Sequence, residues 1–172
     1  MELLFKPLKM TEALVGHLLE WYNDEEIYPF LHPNFEETEH QTMTADEIKS
    51  TMIGTPGKTR YIIYDGELPI GEVSIIDDFP YLSQKEPKSA WIAICVGNKS
   101  YWGKGVAQKA MAFLEDTCRS QGYKRIELGV FENNVKARRL YAKLGYKEIN
   151  IYPKFTYYNG EWYDDIRMDK YL

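Results

Sequence analysis

The chain has 172 residues, of which 44% are hydrophobic and 27% charged, and this ordinary globular composition suits a single domain spanning residues 1–172. Its net charge of −5 argues against nucleic acid as a partner, and no stretch approaches the roughly 18 consecutive apolar residues of a membrane span. Residues 1–10 lack the layout of a secretory signal, and the two cysteines give neither a disulfide framework nor a zinc-binding spacing, so we expect a cytoplasmic protein that binds no metal.

The N-terminal part of the chain predicts one strand and two helices. Residues 2–8 are a short β-rich run, and residues 12–22 place apolar side chains at the spacing of a helix. Thr44, followed three residues later by Glu47, is typical of a capping box that opens a second, shorter helix. The intervening residues 23–42 have an irregular pattern.

Three strands are predicted next. Residues 60–64 and 68–76 are β-rich and are joined through Asp65 and Gly66, which is a strong hairpin signal. Residues 90–96 read AWIAICV, a nearly continuous apolar run that is typical of a strand at the centre of a sheet.

The second half of the chain alternates helices and strands. Its predicted elements are a helix at residues 105–121, a strand at 125–130, a helix from Asn134 to the stop at Gly145, a strand at 146–151, and a hairpin whose arms, residues 157–158 and 162–171, flank Asn159 and Gly160. This order predicts a mixed α/β fold, with a predominantly antiparallel sheet and helices on both of its faces.

A loop with two glycines links the apolar strand to the next helix. It reads Trp102-Gly103-Lys104-Gly105-Val106-Ala107. A helix N-terminus leaves about four N–H groups without a helical acceptor, and glycine lets an anion approach the backbone closely. The loop therefore predicts a phosphate site, although two glycines are also typical of a plain turn. It has neither the Walker pattern nor the third glycine of a dinucleotide site.

The segment from residue 90 to residue 146 resembles the GNAT acetyltransferase superfamily. In that family a central strand leads into the pattern Q/R-x-x-G-x-G/A, and a later helix carries N-x-x-A-x-x-x-Y before a G-F or G-Y strand. The second pattern is NVKARRLY here, from Asn134 to Tyr141, and a Gly-Tyr pair follows it. Trp102 departs from the first pattern, because it stands where Gln or Arg is usual.

The resemblance implies a GNAT acyl-CoA acyltransferase fold and an N-acetyltransferase that uses acetyl-CoA as cosubstrate. Residues 101–105 and 158–168 are similar to the branch that contains ribosomal-protein N-terminal and spermidine acetyltransferases. By the same resemblance, the pantetheine arm of acetyl-CoA is held by the main chain of Cys95 and Val96 and by Asn134. The pyrophosphate is held by the loop of Trp102, Gly103, Lys104, Gly105, Val106 and Ala107.

Acyl transfer from a thioester needs a neutral amine, a donor to the developing oxyanion and a proton for the leaving thiolate. The resemblance implies that Tyr141 protonates the thiolate, whereas a tyrosine at such a helix position is otherwise an ordinary core residue. It also implies that the backbone N–H of Cys95 or Val96 donates to the oxyanion. Cys95 as a nucleophile is the weaker interpretation, because no histidine lies nearby in sequence and direct transfer needs no acyl-enzyme.

The sequence leaves the general base open. Glu72 is a candidate, because it lies on the strand that should flank the acyl site. The other candidates are Asp77, Asp78, Glu36, Glu37 and His32, and a water relay without a dedicated base is a further alternative. A nearby carboxylate also raises the pKa of an amine, which favours binding and opposes deprotonation.

Charge is divided unevenly along the chain. Residues 1–90 carry 7 basic and 17 acidic side chains, whereas residues 91–172 carry 14 basic and 9 acidic ones. An anionic cofactor would suit the second half and a cationic amine the first, so we expect a polyamine, an aminoglycoside or a peptide N-terminus as acceptor. Family-level expectation adds a homodimer. Two other functions stay open: a non-catalytic acetyl-CoA-binding or regulatory module on the same fold, and a nucleotide-binding protein that uses the same loop.

Overall fold

The computed structural model describes residues 2–172, which form a seven-stranded sheet with helices on both faces. The strands are β1 (Leu3–Pro7), β2 (Lys58–Asp65), β3 (Leu68–Asp77), β4 (Ser89–Cys95), β5 (Arg125–Phe131), β6 (Lys147–Tyr158) and β7 (Glu161–Tyr171). The helices are α1 (Glu12–Asn23), α2 (Ala45–Ile53), α3 (Val106–Ser120) and α4 (Val135–Lys143), with short 3-10 turns at Tyr28–Phe30 and Lys99–Tyr101. Within the described range, no helix is both long enough and apolar enough to cross a membrane.

Side-chain caps determine where the first two helices begin. The Thr11 hydroxyl accepts a hydrogen bond from the backbone N–H of Leu14 at 3.2 Å and so caps α1. At the start of α2, Thr44 accepts from the backbone of Glu47 at 3.3 Å, and the Glu47 carboxylate accepts from the backbone of Thr44 at 2.7 Å. This reciprocal pair is the capping box that the sequence predicts.

The order of the strands in the sheet is β1-β2-β3-β4-β5-β7-β6. All described neighbours pair antiparallel except β4 and β5, which run parallel because α3 carries the chain back between them. This arrangement confirms the expected mixed α/β fold with a predominantly antiparallel sheet.

The parallel strands β4 and β5 separate partway along their length. They pair only between Ser89–Trp91 and Arg125–Glu127, although β4 continues to Cys95 and β5 to Phe131. The later residues of β4 therefore have no ladder partner on the β5 side. The result is an opening through the middle of the sheet, and this opening positions the site.

Each face of the sheet is named here after a helix that covers it. On the α3 face, the core includes Ile63, Val73, Ile92, Met111, Leu114, Leu128 and Tyr141. On the α1 face, α1 and α2 cover a second core that includes Leu18, Trp21, Ile48, Ile62 and Cys95. Towards β5 and β7, the α1 face also carries buried charged side chains, which the segment after β3 covers through Tyr81 and Ser83.

Strand β6 differs from the sequence prediction. The sequence predicts a strand that ends at residue 151 and a separate arm at residues 157–158, whereas the structure has one strand, Lys147–Tyr158. Pro153 cannot donate to a ladder, but a register shift between Tyr152 and Thr156 accommodates it, with Lys154 at a positive φ of 50°. Because β6 is an edge strand, the missing hydrogen bond is tolerated.

Candidate active site

A cleft of about 1630 Å³ follows the opening between β4 and β5 and is lined from both faces of the sheet. On the α3 face its walls come from the end of β4, the glycine loop and α4. On the α1 face they come from residues 25–35, the segment after β3, and the hairpin of β6 and β7. This volume exceeds the roughly 300–1,000 Å³ of a pocket for one small ligand, so the cleft has room for two substrates.

The N-terminus of α3 opens onto this cleft. Gly103 and Gly105 have positive φ angles of 73° and 80°, and Gly105 ends the loop in the left-handed conformation. The first backbone bond of the helix runs from the N–H of Lys109 to the carbonyl of Gly105, so the N–H groups of the first turn have no acceptor within the helix. Gly103, Gly105, Val106 and Ala107 all line the cleft, and their backbone forms an open cradle that fits an anion.

Trp102 and Lys104 have supporting positions in the loop. The Trp102 indole N–H donates to the carbonyl of Val96 at 2.8 Å and so ties the loop to the end of β4. The Lys104 backbone N–H donates to the carbonyl of Tyr101 at 3.3 Å, and its ammonium lies 5.6 Å from the Tyr101 ring. Contact of these two residues with a pyrophosphate stays a prediction.

Replacing Gly105 by Ala is expected to raise the Kd for CoA about ten-fold. A side chain in the left-handed region costs roughly 1–2 kcal/mol, and relief of that strain would turn the first N–H groups of α3 away from the anion. Calorimetric titration of CoA measures the effect. Gly122→Ala is the matched control, because Gly122 lies just past the other end of α3 with a φ of 85° and open space around an added Cβ. Equal losses of CoA affinity in both variants would contradict the assignment.

Two asparagines at the start of α4 line the cleft. The Asn134 side-chain oxygen accepts from the N–H of Ala137 at 3.3 Å and caps the helix, which leaves its amide nitrogen for a ligand. The Asn133 side-chain oxygen is buried and has no hydrogen-bond partner among the described residues. A pantetheine arm carries amide N–H groups that would satisfy such an oxygen. Sequence reasoning missed Asn133, whose only signal was its position beside the helix motif.

Tyr141 projects from α4 into the α3 face, is 8% exposed and lines the cleft. Burial raises the pKa of its hydroxyl to about 12, so the phenol is a proton donor at neutral pH. The position in the cleft and the protonated state agree with the expected acid, the raised pKa makes the phenol a weaker acid, and the role itself stays a prediction.

Cys95 is a buried residue at the end of β4 whose side chain belongs to the core of the α1 face. Burial, together with the nearby charge of Glu72, raises the pKa of its thiol well above the ordinary value. The nucleophilic form of cysteine is the thiolate, so these surroundings disfavour Cys95 as a nucleophile. Its main chain lies at the opening, as the resemblance implies for the pantetheine contact.

Glu72 lies on β3 opposite Cys95 and is buried behind the wall of the cleft rather than lining it. One carboxylate oxygen accepts from the Tyr22 hydroxyl, and the other lies 3.1 Å from a guanidinium nitrogen of Arg60. Both oxygens of the carboxylate are therefore already engaged in contacts within the core. The role of general base stays a prediction for Glu72, and these contacts weigh against it.

Of the alternative bases, His32 lines the cleft. Its ring lies 5.6 Å from that of Tyr22. Burial lowers the pKa of the His32 imidazole, and the Lys58 ammonium lowers it further, so the ring is neutral near pH 7. The other carboxylates named from the sequence, Asp77, Asp78, Glu36 and Glu37, are not among the described residues that line the cleft.

The α1-face half of the cleft has aromatic walls that sequence reasoning did not identify. They include Phe79 after β3, Trp91 on β4, and Tyr152 and Phe155 on β6, with Asp165 and Arg167 of β7 between them. The Arg167 guanidinium lies 4.7 Å from the Trp91 ring and 4.8 Å from the Tyr152 ring. Around β6 and β7 the sequence indicated only a hairpin turn. A turn signal does not tell which other strands the side chains of the hairpin would contact.

The sequence model of the Acetyltransferase (GNAT) family matches residues 15–146 of the chain. The chain belongs to the GNAT acetyltransferase family. The match begins within α1, ends just after α4, and includes both the glycine loop and the helix that carries Tyr141. GNAT enzymes use acetyl-CoA, and the open N–H cradle and the orphaned Asn133 oxygen fit that cosubstrate.

Among curated proteins, the chain is 41% identical over 51 residues to the uncharacterized N-acetyltransferase YycN of Bacillus subtilis strain 168, a segment that covers 30% of this chain and 33% of the relative. It is 32% identical over 88 residues to the probable spermine N(1)-acetyltransferase of Bacillus subtilis subsp. natto, which covers 50% of this chain and 57% of the relative. Both matches therefore span less than two thirds of the relative's length.

Solved structures share the whole GNAT architecture with this chain. The spermidine N-acetyltransferase from Vibrio cholerae, in complex with CoA and spermine, has a TM-score of 0.78 at 22% identity and covers 98% of this chain and 95% of its own. The ribosomal-protein-alanine N-acetyltransferase from Brucella melitensis has a TM-score of 0.76 at 19% identity, with 100% of both chains covered. At these identities the likeness shows the fold, and it confirms the expected GNAT architecture.

Proposed function

We propose that the protein transfers an acetyl group from acetyl-CoA to a cationic primary amine. The observation that carries this proposal is the cleft itself. It runs from the unpaired N–H groups at the start of α3, through the opening between β4 and β5, to a carboxylate-bearing aromatic chamber on the α1 face. Two substrates that enter from opposite faces would meet at this opening.

The residues of the α3 face would bind the donor. Acetyl-CoA supplies an activated acetyl group as a thioester. The backbone N–H groups at Gly103, Gly105, Val106 and Ala107 would hold its pyrophosphate, and the unpaired edge of β4 would align its pantetheine arm. The side chains of Asn133 and Asn134 would contact the arm from α4.

In the reaction, the acceptor loses one proton to become a neutral amine and attacks the thioester carbonyl. A backbone N–H at Cys95 or Val96 stabilises the developing oxyanion, and the Tyr141 hydroxyl protonates the leaving thiolate. The new amide loses its second proton, which restores Tyr141 through solvent. One proton is released overall for each ammonium acetylated.

The charges of the α1-face half support a cationic acceptor. Glu25, Glu26 and Asp165 are the carboxylates that line the cleft there. Lys58 and Arg167 also line it, so three carboxylates face two cations and one negative charge is in excess. Burial lowers the pKa of the Lys58 ammonium to about 8, with the Arg60 charge adding to the effect, which leaves it mostly charged at pH 7. The spermine and spermidine named for two of the relatives are polycations, which supports a polyamine as one member of the acceptor panel.

The test is release of free CoA thiol from acetyl-CoA in the presence of matched amines. A polyamine, an aminoglycoside and a basic peptide are compared with anionic amines of similar size, such as glutamate. We expect kcat/KM for at least one cationic class to exceed that of the anionic amines by about ten-fold or more. Turnover confined to anionic amines would overturn the acceptor class. A rise in Tm with acetyl-CoA, but no thiol release with any acceptor, would instead favour a non-catalytic binding module.

A further inference from the structure

Five buried charged side chains form a connected network under the α1-face half of the cleft. They are Arg125 and Glu127 of β5 and Asp165, Arg167 and Asp169 of β7. Three are carboxylates and two are guanidiniums, so the network carries one excess negative charge when all are ionised. Burying a charge without a counter-charge is expensive, so the position of this excess negative charge matters for what the cleft can bind.

Two of the carboxylates share Arg125 as their nearest cation, which compensates one of their two charges. Glu127 lies 2.6 Å from a terminal nitrogen of Arg125 and also accepts from the backbone N–H of Ser83 at 2.6 Å. Asp169 lies 2.7 Å from Nε of the same arginine. Arg125 therefore lies between Glu127 and Asp169, and none of the three is among the described residues that line the cleft.

Of the three carboxylates of the network, Asp165 is the one that lines the cleft. Its Oδ2 accepts from Nε of Arg167 at 2.6 Å. Its Oδ1 lies close to Gly129. A Cβ atom on residue 129 would come within 2.7 Å of this oxygen and 3.0 Å of the Trp91 ring. Gly129 follows the point at which β5 leaves β4, so this oxygen lies beside the opening through the sheet.

Arg167 is fixed as part of the chamber wall. Its guanidinium packs over the rings of Trp91 and Tyr152, and one terminal nitrogen donates to the carbonyl of Tyr81 at 2.8 Å. The side chain is buried and also lies near Glu127, at 3.5 Å. Its positive charge is thus shared between two carboxylates. Burial raises the pKa of the Asp165 carboxyl, and the hydrogen bond from Arg167 only partly opposes this shift.

We propose that Oδ1 of Asp165 anchors the positively charged nitrogen of the acceptor, whose carbon chain packs against Trp91 and Phe155. The excess negative charge of the network, the position of Asp165 in the lining of the cleft and the aromatic walls all favour a cation with an apolar body. The inference rests on the proposed acetyl transfer only where it gives Asp165 a part in choosing the acceptor. Binding of a cation to Asp165 can be measured without turnover. Asp165 is then a specificity-determining residue that holds the ammonium beside the opening, and the bound ammonium releases one proton to solvent before the neutral amine attacks the thioester.

The test compares binding of n-butylammonium with that of 1-butanol, which has the same carbon chain and no charge, to the CoA-saturated protein by calorimetry. We expect the wild-type protein to prefer the cation by about ten-fold or more, the range of a charge-assisted hydrogen bond. Asp165→Asn should abolish this preference. Asp164→Asn is the matched control, since it removes the same charge from the adjacent residue, whose carboxylate accepts from the Lys154 backbone at 2.9 Å outside the cleft.

Folding of the variants is checked by their Tm. Asp165→Asn leaves two carboxylates and two guanidiniums in the network, so we expect it to fold. Asp165→Glu restores the charge and should keep a cation preference at reduced affinity, which a merely structural role would not require. A cation preference that persists in Asp165→Asn, equal binding of butanol and butylammonium to the wild-type protein, or tighter binding of butyrate would overturn the proposal.

The two proposals fail separately. If butylammonium binds as expected and no amine releases thiol from acetyl-CoA, the anchor stands and the transfer reaction falls. If amines are acetylated with equal efficiency by the wild-type protein and by Asp165→Asn, the reaction stands and the anchor falls.

Discussion

Replacing Tyr141 by Phe is expected to lower kcat about 100-fold or more while the Kd for CoA stays unchanged. The phenol lines the cleft on the α3 face, and phenylalanine keeps its ring in the core while it removes the proton that the leaving thiolate needs. Steady-state thiol release gives kcat, and calorimetry gives the Kd for CoA. A Tyr141→Phe protein that binds CoA normally and retains full kcat would refute the assignment.

Tyr146 provides the control for this substitution. Its ring lies 6.1 Å from that of Tyr141 and is also buried, but it is not among the described residues that line the cleft. Tyr146→Phe should therefore leave kcat within about two-fold of the wild-type value, because the loss of one hydroxyl from the core is then its only consequence. A comparable loss of kcat in both variants would point to core packing rather than proton donation.

The pKa of Tyr141 adds a second readout. Because burial raises this pKa to about 12, the hydroxyl keeps its proton throughout the working range. The wild-type kcat should therefore not decline between about pH 8 and pH 10 through ionisation of this group, whereas an ordinary tyrosine would be about half ionised at pH 10. A decline in that window that disappears in Tyr141→Phe would show that the pKa is not raised.

The donor side that the sequence predicts is built from local patterns, and its part in binding acetyl-CoA stays a prediction. The glycines at 103 and 105 precede α3 directly, and Asn134 and Tyr141 lie on one short helix, so spacing alone brings each set together. The fold follows for a similar reason, since each strand and helix has its own periodicity of apolar residues and helices are also marked by their caps. The prediction for β6 ended at residue 151, whereas the strand continues through Pro153, because an edge strand with a register shift can absorb a proline.

The acceptor side could not be predicted in the same way, because its residues are distant in sequence. Glu72 was placed on the correct strand, but its partners Tyr22 and Arg60 come from α1 and β2 and turn it into a buried ion pair. Asp165 approaches Trp91 only because β4, β5 and β7 are neighbours in the sheet, an order that chain periodicity does not encode. The uneven charge along the chain indicated a cationic acceptor without indicating which carboxylate would meet it.

Replacing Arg125 by Met is expected to lower the free energy of unfolding by about 3–5 kcal/mol, because it leaves Glu127 and Asp169 buried without their shared cation. Its side chain is 1% exposed and also donates to the carbonyl of Gln84 at 3.1 Å, so water cannot replace it. For a chain of this length the loss corresponds to roughly 2–4 °C in Tm per kcal/mol. Urea unfolding followed by circular dichroism measures the free energy directly.

Arg138→Met is the matched control, since Arg138 forms an ion pair with Glu148 at a similar distance, 2.7 Å, but with both side chains about 40% exposed. Water and salt screen such a pair, so its loss should cost no more than about 1 kcal/mol. Combining Arg125→Met with Glu127→Gln should recover part of the stability, because one of the two uncompensated charges is then gone. If Arg125→Met and Arg138→Met proved equally mild, the network would be hydrated rather than buried. Water would then screen the excess negative charge under the α1-face half of the cleft, and the preference of Asp165 for a cation would weaken.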